Sequence, residues 1–350
     1  MTEGNLRQGG IELLRLVLML MICLLHVLGK GGVLAAAGPG TVPYGVYWFL
    51  ECGAYYAADA FMLISGYMVT DKPVKAGRIL TMWCQVFFYS FILTALLTAV
   101  DSHEGWQLSA LIRWAMPLTF NRYWYFNGYC LLFLARPALN RFLFSIDETA
   151  ARRAFVLIFG LFSVIGTWYN SFHTERGYAA VWIPVLYCLG VLARRGRIFE
   201  TRPGYTLALT AAVCIMITWG MRMAGFAGLV DYTAPTQVLA ALMIVILFSR
   251  LPIRARWVFC LSPLAFGVYL FQLNVVIWNR LDGAFAFVPA MTLPAGLAVV
   301  TGAAVLIFAG GLLVEGLRRC FSKRLQIPQL CDRAAAAAER LIVRVGEALQ

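Results

Sequence analysis

Residues 11–30 read IELLRLVLMLMICLLHVLGK, and this stretch decides the fold. Twenty helical residues reach about 30 Å, the thickness of a bilayer's hydrocarbon core. Only Glu12, Arg15 and His26 interrupt the apolar run before Lys30. The pattern recurs at 79–100 (ILTMWCQVFFYSFILTALLTAV) and at 291–317 (MTLPAGLAVVTGAAVLIFAGGLLVEGL). Further apolar runs fall at 45–69, 123–143, 154–170, 178–193, 204–223, 233–249 and 257–278. In lipid, backbone polar groups are satisfied only within helices or closed barrels. No period-2 alternation marks a barrel. The reading is an all-α polytopic membrane bundle of about ten transmembrane helices. A short re-entrant or interfacial piece at 108–120 leaves the count at ten or eleven.

Composition agrees. The chain has 350 residues, 61% of them hydrophobic and 13% charged, with mean hydropathy +0.76. Soluble domains are nearer 45–50% apolar and about 25% charged. A cytosolic globular enzyme and a disordered chain are both excluded. Lys and Arg number 29 against 17 Asp and Glu, a net charge of +12. Eighteen of these cations lie in alternate loops, at 72–78, 136–153, 194–202, 250–256 and 318–324. Six (Lys30, Arg113, Arg122, Arg176, Arg222 and Arg280) lie on the other side. The bias makes the first set cytoplasmic and both termini internal. Spread over five loops, the cations make no nucleic-acid surface.

Residues 1–324 form one membrane domain in this reading, and the first helix is a retained span rather than a cleaved signal. Residues 325–350 read as a cytoplasmic amphipathic tail helix, with Leu341, Ile342, Val345 and Leu349 opposite Arg340, Arg344 and Glu347. Nine cysteines contain no C-x-x-C pair, so neither a disulfide framework nor a metal site is expected.

Ionisable groups at membrane depth are costly and therefore candidates for chemistry. Arg15 and His26 are eleven residues apart, which at 100° per residue falls about 20° past three full turns. They share a helix face, separated by roughly 16 Å of rise. Arg15 suits an incoming phosphate or carboxylate, and His26 suits proton abstraction from a hydroxyl. The plainer alternatives are a snorkelling helix-end arginine and a core histidine. Asp59, in AADAFMLISGYMV, is a candidate orienter of His26 or a structural carboxylate paired with an arginine of another helix. Gly66 shares its face and permits close helix approach, and Ser65 is a candidate donor to a neighbouring helix. Lys75 and Arg78 form either a phosphate clamp or ordinary positive-inside charge. Trp124, Tyr125, Phe126 and Tyr129 read as an interfacial belt or a sugar-stacking platform. Glu51 reads as an outer-end interface residue; His103 and His173 receive no role.

Taken together, these segments resemble the acyltransferase-3 family of bacterial membrane O-acyltransferases. RLVLMLMICLLH (15–26) matches the family's R-x10-H motif. ADAFMLISGY (58–67), YWYFNGYCLLFLARPALNRF (123–142) and SPLAFGVYLFQLNVVIWN (262–279) resemble further family segments, and Lys75 to Arg78 is similar to its R-x-x-R. The resemblance implies transfer of an acyl group, most often acetyl, from cytoplasmic acyl-CoA to a hydroxyl of an extracytoplasmic glycan or glycoside. It implies a multi-pass protein of the bacterial inner membrane. His26 and Asp59 would be catalytic, and Arg15, Lys75 and Arg78 would hold the donor. Glu51, Trp124, Tyr125, Tyr129 and Gln272 are candidate acceptor-binding residues. Acyl-CoA, the surface glycan and membrane lipid are the expected partners, without a metal. Two departures stand out: Lys75 replaces an arginine, and Gln272 stands where relatives often carry histidine. A permease or exporter of an organic acid or glycolipid is the rival reading.

Overall fold

A helix that is apolar on every side belongs inside a bundle. The first helix, α1 (Gly9–Leu28), occupies that place: 61% of its apolar window is buried, against 17% for the long helix near the C-terminus. The computed structural model describes residues 8–70, 76–100, 107–169, 172–226 and 230–348. Among these residues every regular element is a helix. Lys75 and His103, both singled out in the sequence, lie outside the described residues.

The elements follow in order. After α1 come α2 (Val42–Tyr55) and α3 (Ala57–Tyr67), joined at Tyr56. Then come α4 (Ala76–Val100), α5 (Leu108–Ala115), α6 (Trp124–Ser145) and α7 (Glu148–Trp168). They are followed by α8 (Trp182–Arg195), α9 (Gly204–Met223) and α10 (Pro235–Ser249). The chain closes with α11 (Arg256–Gln272), α12 (Val275–Leu281), α13 (Leu293–Arg324) and α14 (Ile327–Ala348). Around α1 stand α2, α3, α10, α11 and α13.

The span count departs from the sequence reading. Among the described residues, five helices (α1, α4, α7, α9 and α13) are long and apolar enough to cross a bilayer, and α11 with α12 makes a sixth if that bent pair is one span. The remaining stretches are helical but short or interrupted. Helix α8 has 14 residues and α10 has 15, below the roughly 20 that a straight crossing needs. The 45–69 stretch breaks at Tyr56. Helix α6 carries Asn127, Arg136, Pro137, Asn140 and Arg141.

Two features position the site. Helices α3 and α8 meet backbone to backbone. A Cβ on Gly66 would lie 2.1 Å from the Tyr187 carbonyl oxygen, and one on Gly190 would lie 2.5 Å from that of Leu63. Small residues at a membrane helix contact permit this approach, as the sequence suggested for Gly66. Ser65, expected to bond a neighbouring helix, instead donates to the Phe61 carbonyl of its own helix (3.2 Å). Second, α11 and α12 bend by 70° at Leu273–Asn274. Helix α4 contains a π segment at Phe88–Leu93, a geometry that frees backbone carbonyls. Asn274 Nδ2 donates to the Tyr89 carbonyl and to Thr94 Oγ1, both at 2.8 Å, while its Oδ1 caps Val276 N–H at 3.1 Å. Asn274 thus satisfies both breaks and fixes the end of α11, where Gln272 sits.

Candidate active site

A cavity of about 370 Å³ runs between α1, α3, α4, α6 and α11. Arg15, Met19, Ile22 and His26 line it from α1, so the shared face inferred from the eleven-residue spacing is the face the cavity uses. Arg78 and Met82 of α4, Ser65 of α3 and Trp124, Tyr125 and Tyr129 of α6 complete much of the wall. Of the site residues named from the sequence, six therefore meet around one space: Arg15, His26, Arg78, Trp124, Tyr125 and Tyr129.

His26 is held from α11. Its Nδ1 lies 3.0 Å from Gln272 Oε1. Gln272 is fully buried, and its Nε2 donates to Met19 Sδ at 3.6 Å. With the amide nitrogen committed to the thioether, Oε1 faces the ring as acceptor and the ring proton sits on Nδ1. Nε2 then carries the free lone pair, the tautomer that a general base requires. The Trp278 ring packs edge-on against the imidazole at 4.9 Å. Lys30 lies over the same indole and pairs with Asp282 at 2.6 Å.

The partner that the structure gives Asp59 is Trp182 of α8, neither His26 nor an arginine. Asp59 Oδ1 accepts from Trp182 Nε1 at 3.0 Å, and the neighbouring Ala58 lines the cavity. The carboxylate ties α3 to α8, and the side chain at His26 Nδ1 is Gln272. Glu51 is buried on α2 away from the cavity. His173 is exposed.

The arginine end has its own construction. Glu12 Oε1 accepts from Arg15 Nη1 at 2.7 Å, and Glu12 Oε2 accepts from Ser262 Oγ. One edge of the guanidinium is fixed by its own helix and through it to α11, leaving other N–H groups for a ligand. A second space of about 220 Å³ adjoins the first, and Arg15, Ser65, Arg78 and Tyr129 line both. Arg136, Thr70 and Tyr187 also line this vestibule. Arg136 stacks over the Tyr187 ring at 5.8 Å, and Tyr187 donates to Asn140 Oδ1 at 2.6 Å. The sequence reading placed Arg136 only among the loop charges. Three guanidinium groups and no carboxylate line the vestibule among the described residues.

Arg136 and Trp124 are twelve residues apart on α6, about 18 Å along its axis, so the tryptophan marks the opposite end. There Tyr232 stacks on Trp124 (5.9 Å) and on Tyr55 (4.6 Å), with Tyr178 against both Trp124 and Tyr232. Tyr232 sits in an irregular segment without periodicity, which is why the sequence did not single it out. Tyr125 Oη is buried in the cavity wall and has no hydrogen-bond partner among the described residues. A buried hydroxyl left unpaired is costly and marks a place for a polar ligand atom.

A cationic vestibule, an oriented histidine and an aromatic far end form one continuous path. The model of a family described as an acyltransferase domain matches residues 8–311. No curated protein and no solved structure gives a match. The matched segment contains the whole path, from Glu12 to Trp278, and the chain belongs to the acyltransferase-3 family as a multi-pass membrane acyltransferase.

Proposed function

We propose that the protein carries an acyl group, most often acetyl, from cytoplasmic acyl-CoA to a hydroxyl of an extracytoplasmic glycan or glycoside. The observation that carries this reading is the single cavity joining Arg15 and Arg78 to an imidazole oriented by Gln272. In this scheme about ten helical segments cross or enter the inner membrane of a bacterial cell. Both termini are cytoplasmic, by the positive-inside bias.

The donor's phosphates rest on Arg15 and Arg78, with Lys75 as a further cation, because guanidinium groups bind phosphate through paired charge-assisted hydrogen bonds. A space of about 370 Å³ suits an acyl-pantetheine arm and excludes the nucleotide, which stays at the cytoplasmic face. The thioester comes to rest beside His26. The acceptor hydroxyl approaches from the aromatic end, where Trp124, Tyr129 and Tyr232 offer faces for a sugar ring.

His26 Nε2 takes the hydroxyl proton as the oxygen attacks the thioester carbon. Gln272 stabilises the protonated ring through the Nδ1–H bond. Tyr125 Oη donates to the developing oxyanion, where a fixed donor acts most strongly in a dry site. Collapse expels the CoA thiolate, which takes up the proton held by His26, and leaves the ester. Asp59 contributes by holding α3, which carries Ala58, Phe61 and Ser65 into the wall.

The test is mass spectrometry of surface glycans from cells with and without the chain, supplied with isotope-labelled acetate. The reading requires a labelled acetyl ester that disappears with the chain. An unchanged glycan pool together with chain-dependent movement of an organic acid across the membrane would support transport instead.

A further inference from the structure

Helix α14 folds back on the bundle rather than continuing α13. The reversal is made at Gln326, whose φ of 54° is in the left-handed region. The returning helix lies along α4, the helix that carries Arg78 and Met82 into the cavity. At Gly77 the contact is close: a Cβ there would lie 2.0 Å from Asp332 Oδ1 and 2.9 Å from Asp332 Cα. Two turns further along α4, Cys84 Sγ lies 3.8 Å from Cys331 Sγ. Cys84 is half-buried and Cys331 is 5% exposed.

We propose that Cys84 and Cys331 form a redox-modification site that fastens the C-terminal helix to the helix bearing Arg78. The two sulfurs stand in van der Waals contact, so a bond of about 2.05 Å needs a side-chain rotation and a small closure of the helices. The thiols differ in access, which assigns their roles. A small oxidant reaches Cys84 first, and Cys331 resolves the adduct. With a diazene oxidant, the Cys84 thiolate adds to the N=N bond. The Cys331 thiolate then attacks Cys84 Sγ, the Sγ–Sγ bond forms, and the hydrazine leaves. Overall the diazene gains two electrons and two protons, and the two thiols lose them. A dithiol reverses the step. In a reducing cytoplasm the pair rests as thiols.

The bridge closes the geometry already present, so it holds the first turns of α4, and Arg78 with them, in place. Sequence inspection gives no hint of this: the two cysteines are 247 residues apart and form no local motif.

The test uses the full-length protein in lipid nanodiscs, treated with diamide and then alkylated in denaturant. Wild type should fall from its nine titratable thiols to seven, with one mapped peptide joining Cys84 to Cys331 within a single chain. Cys84→Ser and Cys331→Ser should each abolish that peptide. Gly77→Val, which pushes Asp332 away, should lower its yield several-fold while thermal unfolding confirms a folded protein. Nine thiols remaining after diamide, a bridge mapped to other cysteines, or a link between two chains would overturn the proposal. Thiol counting does not depend on acyl transfer, so it stands or falls apart from the catalytic reading.

Discussion

Replacing Gln272 by leucine removes one atom pair from the proposed chemistry and little volume. In the structure, the fully buried Gln272 accepts through Oε1 a hydrogen bond from the His26 ring at 3.0 Å. Leucine leaves the Nδ1–H buried and unpaired. Stranding a buried donor costs about 1–3 kcal/mol. The ring then escapes the penalty by moving its proton to Nε2 or by rotating, and either response removes the lone pair aimed at the acceptor. Taking about 2 kcal/mol as the loss in the transition state gives roughly a thirty-fold fall in kcat/KM. The fall should sit in kcat, because Gln272 touches neither Arg15 nor Arg78. The apparent affinity for acetyl-CoA should stay within about three-fold, as for any interaction made only in the transition state. Release of the CoA thiol from acetyl-CoA in membrane vesicles containing the acceptor glycan measures both quantities. Gln272→His should keep more activity than Gln272→Leu, because imidazole still offers an acceptor nitrogen. A leucine variant within two-fold of wild type, in a preparation where His26→Ala is inactive, would refute the orienting role.

Other substitutions separate the remaining roles. Arg15→Ala and Arg78→Ala each remove a charge-assisted contact of about 1.5–3 kcal/mol, so KM for acetyl-CoA should rise about ten- to a hundred-fold; an unchanged KM in both would contradict a donor site there. Asp59→Asn keeps an oxygen for Trp182 Nε1, and activity should stay within a few-fold of wild type. A collapse of kcat with normal thermal unfolding would return Asp59 to a role in catalysis. Gly66→Val forces a side chain into the Tyr187 carbonyl, 2.1 Å away, and should lower the unfolding temperature of detergent-solubilised protein; no change would mean that α3 and α8 can separate there without cost.

The sequence carried the α1 face well because it depends on spacing within a single helix. Arg15 and His26 needed only the 100° step to be placed on one side, and the cavity runs along that side. Gln272 was visible as a departure from the family pattern, but its contact with His26 joins residues 246 apart, and no periodicity encodes that. Asp59 shows the same limit. A carboxylate inside a span suggests a base or an arginine as its partner, whereas its hydrogen-bond donor in the structure, Trp182, is 123 residues away and comes from α8, which packs on α3 through glycines. Arg136 was hidden among loop charges that positive-inside bias already explains. The span count rests on apolar runs, which mark buried helices as readily as crossing ones, and α8 and α10 are short helices buried among others.

The central claim is that His26, as general base, lets a hydroxyl on one side of the membrane take the acyl group of a donor that arrives from the other. Sealed inside-out vesicles loaded with the acceptor glycan and supplied externally with radiolabelled acetyl-CoA test it directly. Wild type should place label as an ester on the enclosed glycan, and His26→Ala, present at equal levels, should place none. Equal labelling by both proteins, or label reaching only glycan outside the vesicles, would contradict it.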